Sequence, residues 1–435
     1  MRKFFFHSLK NVFVNKKFEE EPKMKKLLAL ALVLCMMLSI TAVAVADEKT
    51  VITITWWGDT DSSKAELMMI DKFNAEHDDI EIKPDIVPGD GYGDRLLTSF
   101  SSGEGYDIFA SGEGDFYKWV GANMPLNLNE LIAADTEWNN EMNEAIYNFG
   151  NINGSQYYLV RDYNPLCLFY NKDVFDHYGV AYPTADWTWD DAIKAAKELT
   201  VPADKVFGFN AQSWTYAALT YFSSKGLDIV NEDCTSVDGY LNSPEFAAAL
   251  TEYAGFSTGD DRISPDAADQ DTFGGTSAMF INGKLAMTIS GAWDKGTFEN
   301  AGVNYGTCVV PGNHKSYLCA SAFAISKNCK NPEAAWEVIK AMTGTECSEL
   351  RFQYTAALPT VDALLDAMRA DYGEANQGIL DSLNYAIQPV GLRGAMGNPA
   401  VAAFDTAFER VRFNDGTVEE ILADAVAEVA EKMAE

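Results

Sequence analysis

Positive charge and histidine are both scarce in this chain. Its 435 residues hold 33 Lys plus Arg against 64 Asp plus Glu, a formal net charge of -31, and only four His. A deficit of that size excludes nucleic acid as a partner and argues against anionic lipid, since both are held through basic patches. The three histidines past the amino-terminal region, His77, His177 and His314, stand far apart. They leave little for a histidine metal site or a histidine-based triad. Nucleophile-elbow, phosphate-loop, HExxH and glycine-rich dinucleotide motifs are also missing. No cofactor and no bound metal are expected. The acidic cluster Asp260, Asp261, Asp266, Asp269 and Asp271 lacks EF-hand spacing and reads as a solvated loop. Neither repeats nor heptads appear, against what a surface adhesin would carry.

What is present points to an exported globular body. Apolar residues make up 47% and aromatics 12% of the chain, enough for a large core. Met24-Lys25-Lys26 is a basic head, followed by an apolar run from Leu27 through Ile40 and a small-x-small site at Ala44-Val45-Ala46. That is the pattern of a secretory signal, with cleavage after Ala46 and Met24 as the natural start. Removing residues 1–46 takes away eight Lys plus Arg and three Glu, so the net charge moves from -31 to -36. Six cysteines stay in the mature chain, none in a CxxC pair. Export permits disulfides, and buried free thiols are an equally good reading.

Along the body, strand and helix patterns alternate. Residues 51–57 are β-branched and apolar, as in a strand buried on both faces. Ser63 and Glu66 have capping-box spacing for a helix that carries Leu67, Ile70 and Phe73 on one face. A strand at 80–87, a helix with Tyr92, Leu96 and Phe100, and a strand at 107–110 complete βαβαβ, which implies a mostly parallel sheet. A second such body follows Asp162, with a strand at 166–170 and a helix boxed by Thr188 and Asp191. Strand character returns at 317–326, and 418–433 reads as an amphipathic terminal helix.

Nine tryptophans lie in the mature chain, several beside turns, including Trp57, Trp214 and Trp293. A flat indole next to carboxylates and amides suits a sugar, covering its C–H face while polar groups take the hydroxyls. A core role suits any one of these tryptophans as well.

Several segments, taken in order, resemble the extracellular solute-binding proteins of family 1, the sugar-binding components of ABC importers related to maltose-binding protein. They are Ile52-Thr53-Ile54-Thr55-Trp56-Trp57-Gly58; Ser101-Ser102-Gly103-Glu104-Gly105-Tyr106-Asp107-Ile108-Phe109; and Leu168-Phe169-Tyr170-Asn171-Lys172-Asp173-Val174-Phe175 with Trp187-Thr188-Trp189. Gly283-Lys284-Leu285-Ala286-Met287 with Gly291-Ala292-Trp293 follows, then Phe323-Ala324-Ile325-Ser326 before Asn331-Pro332-Glu333-Ala334-Ala335-Trp336. The resemblance implies an α/β, two-lobed periplasmic-binding-protein-like fold of type II, each lobe a mostly parallel sheet flanked by helices, joined by a hinge that the chain crosses several times. Lobe 1 would be 47–162 plus 320–358, and lobe 2 would be 163–319 plus 359–435. The implied function is non-catalytic capture of a carbohydrate between the lobes and delivery to the membrane permease of the importer, by a monomer.

Carried onto this sequence, the resemblance implies ligand contacts at Trp57, Asp59 and Thr60 after the first strand, at Glu113 and Asp115 after Phe109, and at Asn164. Trp293 takes the place of a sugar-stacking tryptophan, Trp214 lies near another aromatic contact, and Arg393 sits in the Gly391-Leu392-Arg393-Gly394 turn. Tyr106 replaces a usual proline. Ser39-Ile40-Thr41-Ala42-Val43 looks like a lipobox with Val43 in place of the lipidated cysteine, which implies a receptor free in a periplasm or released outside the cell. A secreted glycoside hydrolase shares acidity, export and tryptophans; it would need two carboxylates about 5 Å or about 6.5–9.5 Å apart across a cleft.

Overall fold

The computed structural model describes residues 49–434 except positions 59, 61, 90, 104, 212, 213, 356, 370 and 371. The expected signal region 1–46, with Val43, and the expected contact residue Asp59 lie outside the described residues. Thr50–Glu435 forms one compact unit.

The chain opens with β1 (Thr50–Trp57), α1 (Lys64–Glu76), β2 (Ile80–Val87), α2 (Tyr92–Ser102) and β3 (Ile108–Gly112). β1 pairs in parallel with β2 and with β3, the expected βαβαβ. Burial in β1 is less complete than its composition implies. Ile52, Ile54 and Trp56 are sealed, whereas Val51 is exposed at the strand's entry. β4 (Leu159–Pro165) then joins the same sheet, and β5 (Cys167–Asn171) begins a second one after the single residue Leu166.

β5 leads to α3 (Trp189–Leu199), α4 (Thr215–Ser224), β6 (Met287–Ser290), α5 (Trp293–Asn300) and β7 (Tyr305–Cys308). Strand direction departs here from a mostly parallel sheet, because β5 lies between β6 and β7 and is antiparallel to both. The physical reason is connectivity. α5 carries the chain from β6 across to β7, so these two run the same way and leave a slot that β5, arriving from the other sheet, fills as a split βαβ unit.

β8 (Ser316–Ile325) returns to the first sheet, antiparallel to β3 at 321–325 and to β4 at 318–323, while its first two residues pair with β9 (Ala386–Ile387). α6 (Pro332–Thr343) and α7 (Thr345–Thr355) pack with the first sheet; α8 (Gly397–Arg412) and α9 (Val418–Lys432) close the chain. One apolar core joins Ile52, Ile54, Ile82, Ile108 and Phe323 to Trp336 and Ile339 of α6. Another joins Leu168 and Met287 to Phe222 of α4, Phe404 and Phe408 of α8, and Leu422 of α9.

The capping signals resolve unevenly. Thr188 and Asp191 make the reciprocal box at α3. Ser63 and Glu66 do not. Ser63 Oγ instead accepts a 2.8 Å bond from Trp56 Nε1, since a buried indole N–H needs a partner. Glu66 turns inward to two arginines. All six described cysteines are free thiols.

Candidate functional site

Parallel strands of an open sheet end where helices begin, and the crevice beyond their carboxyl ends is the usual ligand position. β1 ends at Trp57 and β3 at Gly112. Beyond them lies a cavity of about 650 Å³, within the range of small-ligand sites. Trp57, Gly112 and Glu113 form one side of it. Arg161, Asp162 and Asn164 of β4 and Cys319, Ala320 and Ser321 of β8 form its floor, and Trp214, Trp293, Thr297 and Asn300 face them from the second sheet's helices. Arg351 and Tyr354 of α7 and Glu66 of α1 complete the wall.

The charged part of that wall is deeply buried and internally paired. Arg351 Nε donates to Glu66 Oε1 at 2.8 Å, its Nη1 to the Arg161 carbonyl at 3.0 Å, and its Nη2 to the Met342 carbonyl at 2.6 Å. Arg161 stands 3.6 Å from the same Glu66 oxygen and 2.8 Å from Asp162 Oδ2. Burial opposes ionisation of Glu66, but the two guanidiniums outweigh it and hold the carboxyl below its usual range. Arg161 also lies 5.5 Å from the Trp57 ring centroid, so one cation braces an aromatic wall.

Glu113 is the opposite case. It sits at the turn after β3, accepting the Ala320 N–H at 2.9 Å, and burial pushes its carboxyl up to about 7 against that bond. Several polar atoms at the cavity have no hydrogen-bond partner among the described residues: Glu66 Oε2, Asn164 Oδ1 and Ser321 Oγ. Buried polar atoms are rarely left so, which makes them natural places for ligand hydroxyls. Trp214 and Trp293 supply the apolar counterpart. Each is 39% exposed, and they meet edge to face with centroids 5.8 Å apart.

Of the residues singled out in the sequence, Trp57, Glu113, Asn164, Trp214 and Trp293 come together at this cavity. Thr60 is exposed and outside its lining, Asp115 pairs with Lys118, and Arg393 is committed to Asp228 at 2.6 Å and the Gln388 carbonyl. Sequence reasoning missed Glu66, Arg161, Asp162, Ser321 and Arg351. One signal was readable: Arg161-Asp162 is a charged pair inside an otherwise uncharged strand, and such local breaks in pattern mark functional sites.

A six-stranded mixed sheet and a three-stranded antiparallel sheet, with a polar, tryptophan-walled cavity lined from both, define a two-lobed α/β binding protein. Residues 57–346 match the family described as bacterial extracellular solute-binding protein, and the chain belongs to that family. An ABC substrate-binding protein of Listeria monocytogenes, solved in complex with cycloalternan, superposes with a TM-score of 0.79 at 27% identity, covering 89% of this chain and 100% of that one. An arabinooligosaccharide-binding protein of Bacillus subtilis is 27% identical over 350 residues, 69% of this chain and 76% of its own. A binding protein of Brucella abortus is 25% identical over 278 residues. The match spans 61% of this chain and 65% of the Brucella protein's length. The family and these relatives are binding proteins rather than enzymes.

Proposed function

We propose that this chain is the extracytoplasmic receptor of an ABC importer, capturing a sugar or oligosaccharide in the interlobe cavity and presenting it to the membrane permease without chemical change. The observation that carries this reading is the pairing of cavity polar atoms that have no partner among the described residues with two half-exposed tryptophans across from them. A carbohydrate has the matching duality of hydroxyl edge and C–H face. The glycan-binding relatives support the same ligand class.

Lobe 1 is proposed as 47–162 plus 320–358 and lobe 2 as 163–319 plus 359–435. The clusters around β1 and around α4 and α8, each confined to one of these parts, support that division, while a third apolar cluster joins Phe109 and Val160 to Phe169 and Tyr305 across the boundary. Ligand that touches both walls favours the closed arrangement. Trp57, Glu113, Asn164, Trp214 and Trp293 are proposed as contacts, with Arg161, Asp162 and Ser321 added. The receptor is a monomer, exported through residues 1–46 and, with Val43 where a lipidated cysteine would stand, free in a periplasm or outside the cell.

A thermal-shift screen of residues 47–435 against mono- and oligosaccharides tests the reading. A bound sugar raises the melting temperature with concentration and is recovered intact. Hydrolysis of an oligosaccharide, or no shift with any glycan, would overturn it.

A further inference from the structure

A second cavity, of about 400 Å³, is lined by Trp214, Thr276, Ser277, Ser290, Trp293 and Asp294. Trp214 and Trp293 line both cavities, so the edge-to-face pair is a partition with space on either side. None of the residues singled out from the sequence, apart from the two tryptophans, belongs to it. Its remaining lining is entirely polar. Asp294 Oδ2 accepts from Ser290 Oγ at 2.6 Å and Oδ1 from Ser277 Oγ at 3.1 Å, which fixes the carboxylate while leaving acceptor capacity on both oxygens. Asn210 Nδ2 donates to Thr276 Oγ1 at 3.3 Å, and Asn210 Oδ1, in a residue 1% exposed, has no hydrogen-bond partner among the described residues.

We propose that this second cavity is a subsite for an additional sugar unit, so that the ligand is an oligosaccharide that turns around the Trp214–Trp293 partition. The inference rests on the sugar-receptor reading and deepens it by setting the ligand's minimum size at two units. Three features point the same way. The volume falls within the range of small-ligand pockets. The lining pairs indole surface with hydroxyls and an oriented carboxylate, the combination that a sugar ring satisfies. The two indole planes cross at 81°, so units stacked on them cannot be coplanar. A chain that bends between units fits such a partition, and a flat extended ribbon does not.

The test compares matched probes on the folded protein by calorimetry: glucose with maltotriose and mannose with mannotriose. The trisaccharide that binds should do so at least tenfold more tightly than its monosaccharide. Thr276→Trp, which fills the second cavity, should remove that difference while leaving monosaccharide affinity within twofold. Ser277→Ala, a smaller change that frees one carboxylate oxygen, should lower trisaccharide affinity selectively and keeps the proposal testable if the larger side chain prevents folding. Monosaccharide and trisaccharide binding equally well, or both weakening equally in Ser277→Ala, overturns the subsite and leaves the receptor reading standing. Failure of every glycan to bind overturns both.

Discussion

At the scale of single residues, the cavity separates side chains that recognise from side chains that hold. Trp293 is half-exposed, so Trp293→Ala should change stability by less than about 1 kcal/mol while weakening sugar binding at least about tenfold. Calorimetry beside a urea melt checks this, and a large stability loss with unchanged affinity would make it a core residue. Arg351 is a holder, 2% exposed and paired with Glu66 at 4%. Arg351→Ala leaves that carboxylate with only the more distant Arg161 and should cost about 3–5 kcal/mol in urea unfolding, with Glu66→Gln in the same chain recovering part of it. Glu113 adds a pH dependence. Its folded pKa, about 7, lies above the ordinary 4.5, so between those values the native state keeps a proton that the unfolded chain has lost. Stability from this group therefore falls as pH rises through the window. Relative to Glu113→Gln, the wild type should lose about 2–3 kcal/mol between pH 5 and pH 8. An unchanged gap would mean that the carboxyl is ionised throughout. Arg393 shows why residue roles outran the sequence. Its turn was visible, but the Asp228 that engages it stands 165 positions away.

At the scale of elements, local signals hold where their groups have no stronger partner. Thr188 and Asp191 cap α3 at the surface, and Thr188→Ala should cost about 1 kcal/mol of stability by thermal melt. The same spacing at Ser63 and Glu66 failed because Trp56 and Arg351, far or hidden in sequence, bid for those side chains with a buried indole N–H and a buried guanidinium. The parallel order of β1, β2 and β3 was legible from alternating strand and helix patterns. The direction of β5 was not, since nothing in its four apolar residues tells which neighbours will flank it.

At the scale of the molecule, two lobes were legible through motif order, and the cavity's tryptophans through their turns. Its ionic floor escaped because it is assembled from α1, β4 and α7, three segments spread over 285 positions. Ligand-driven closure should reduce the radius of gyration in small-angle scattering, and an identical curve with saturating sugar would argue for a rigid receptor. The passage from β4 to β5 bears on how easily that happens. Only Leu166 separates the two sheets there, its N–H held by the Tyr317 carbonyl at 3.1 Å. A joint this short has few dihedrals to randomise, so the open state carries little linker entropy to surrender. Contact energy gained at the cavity then goes into affinity instead of ordering a tether.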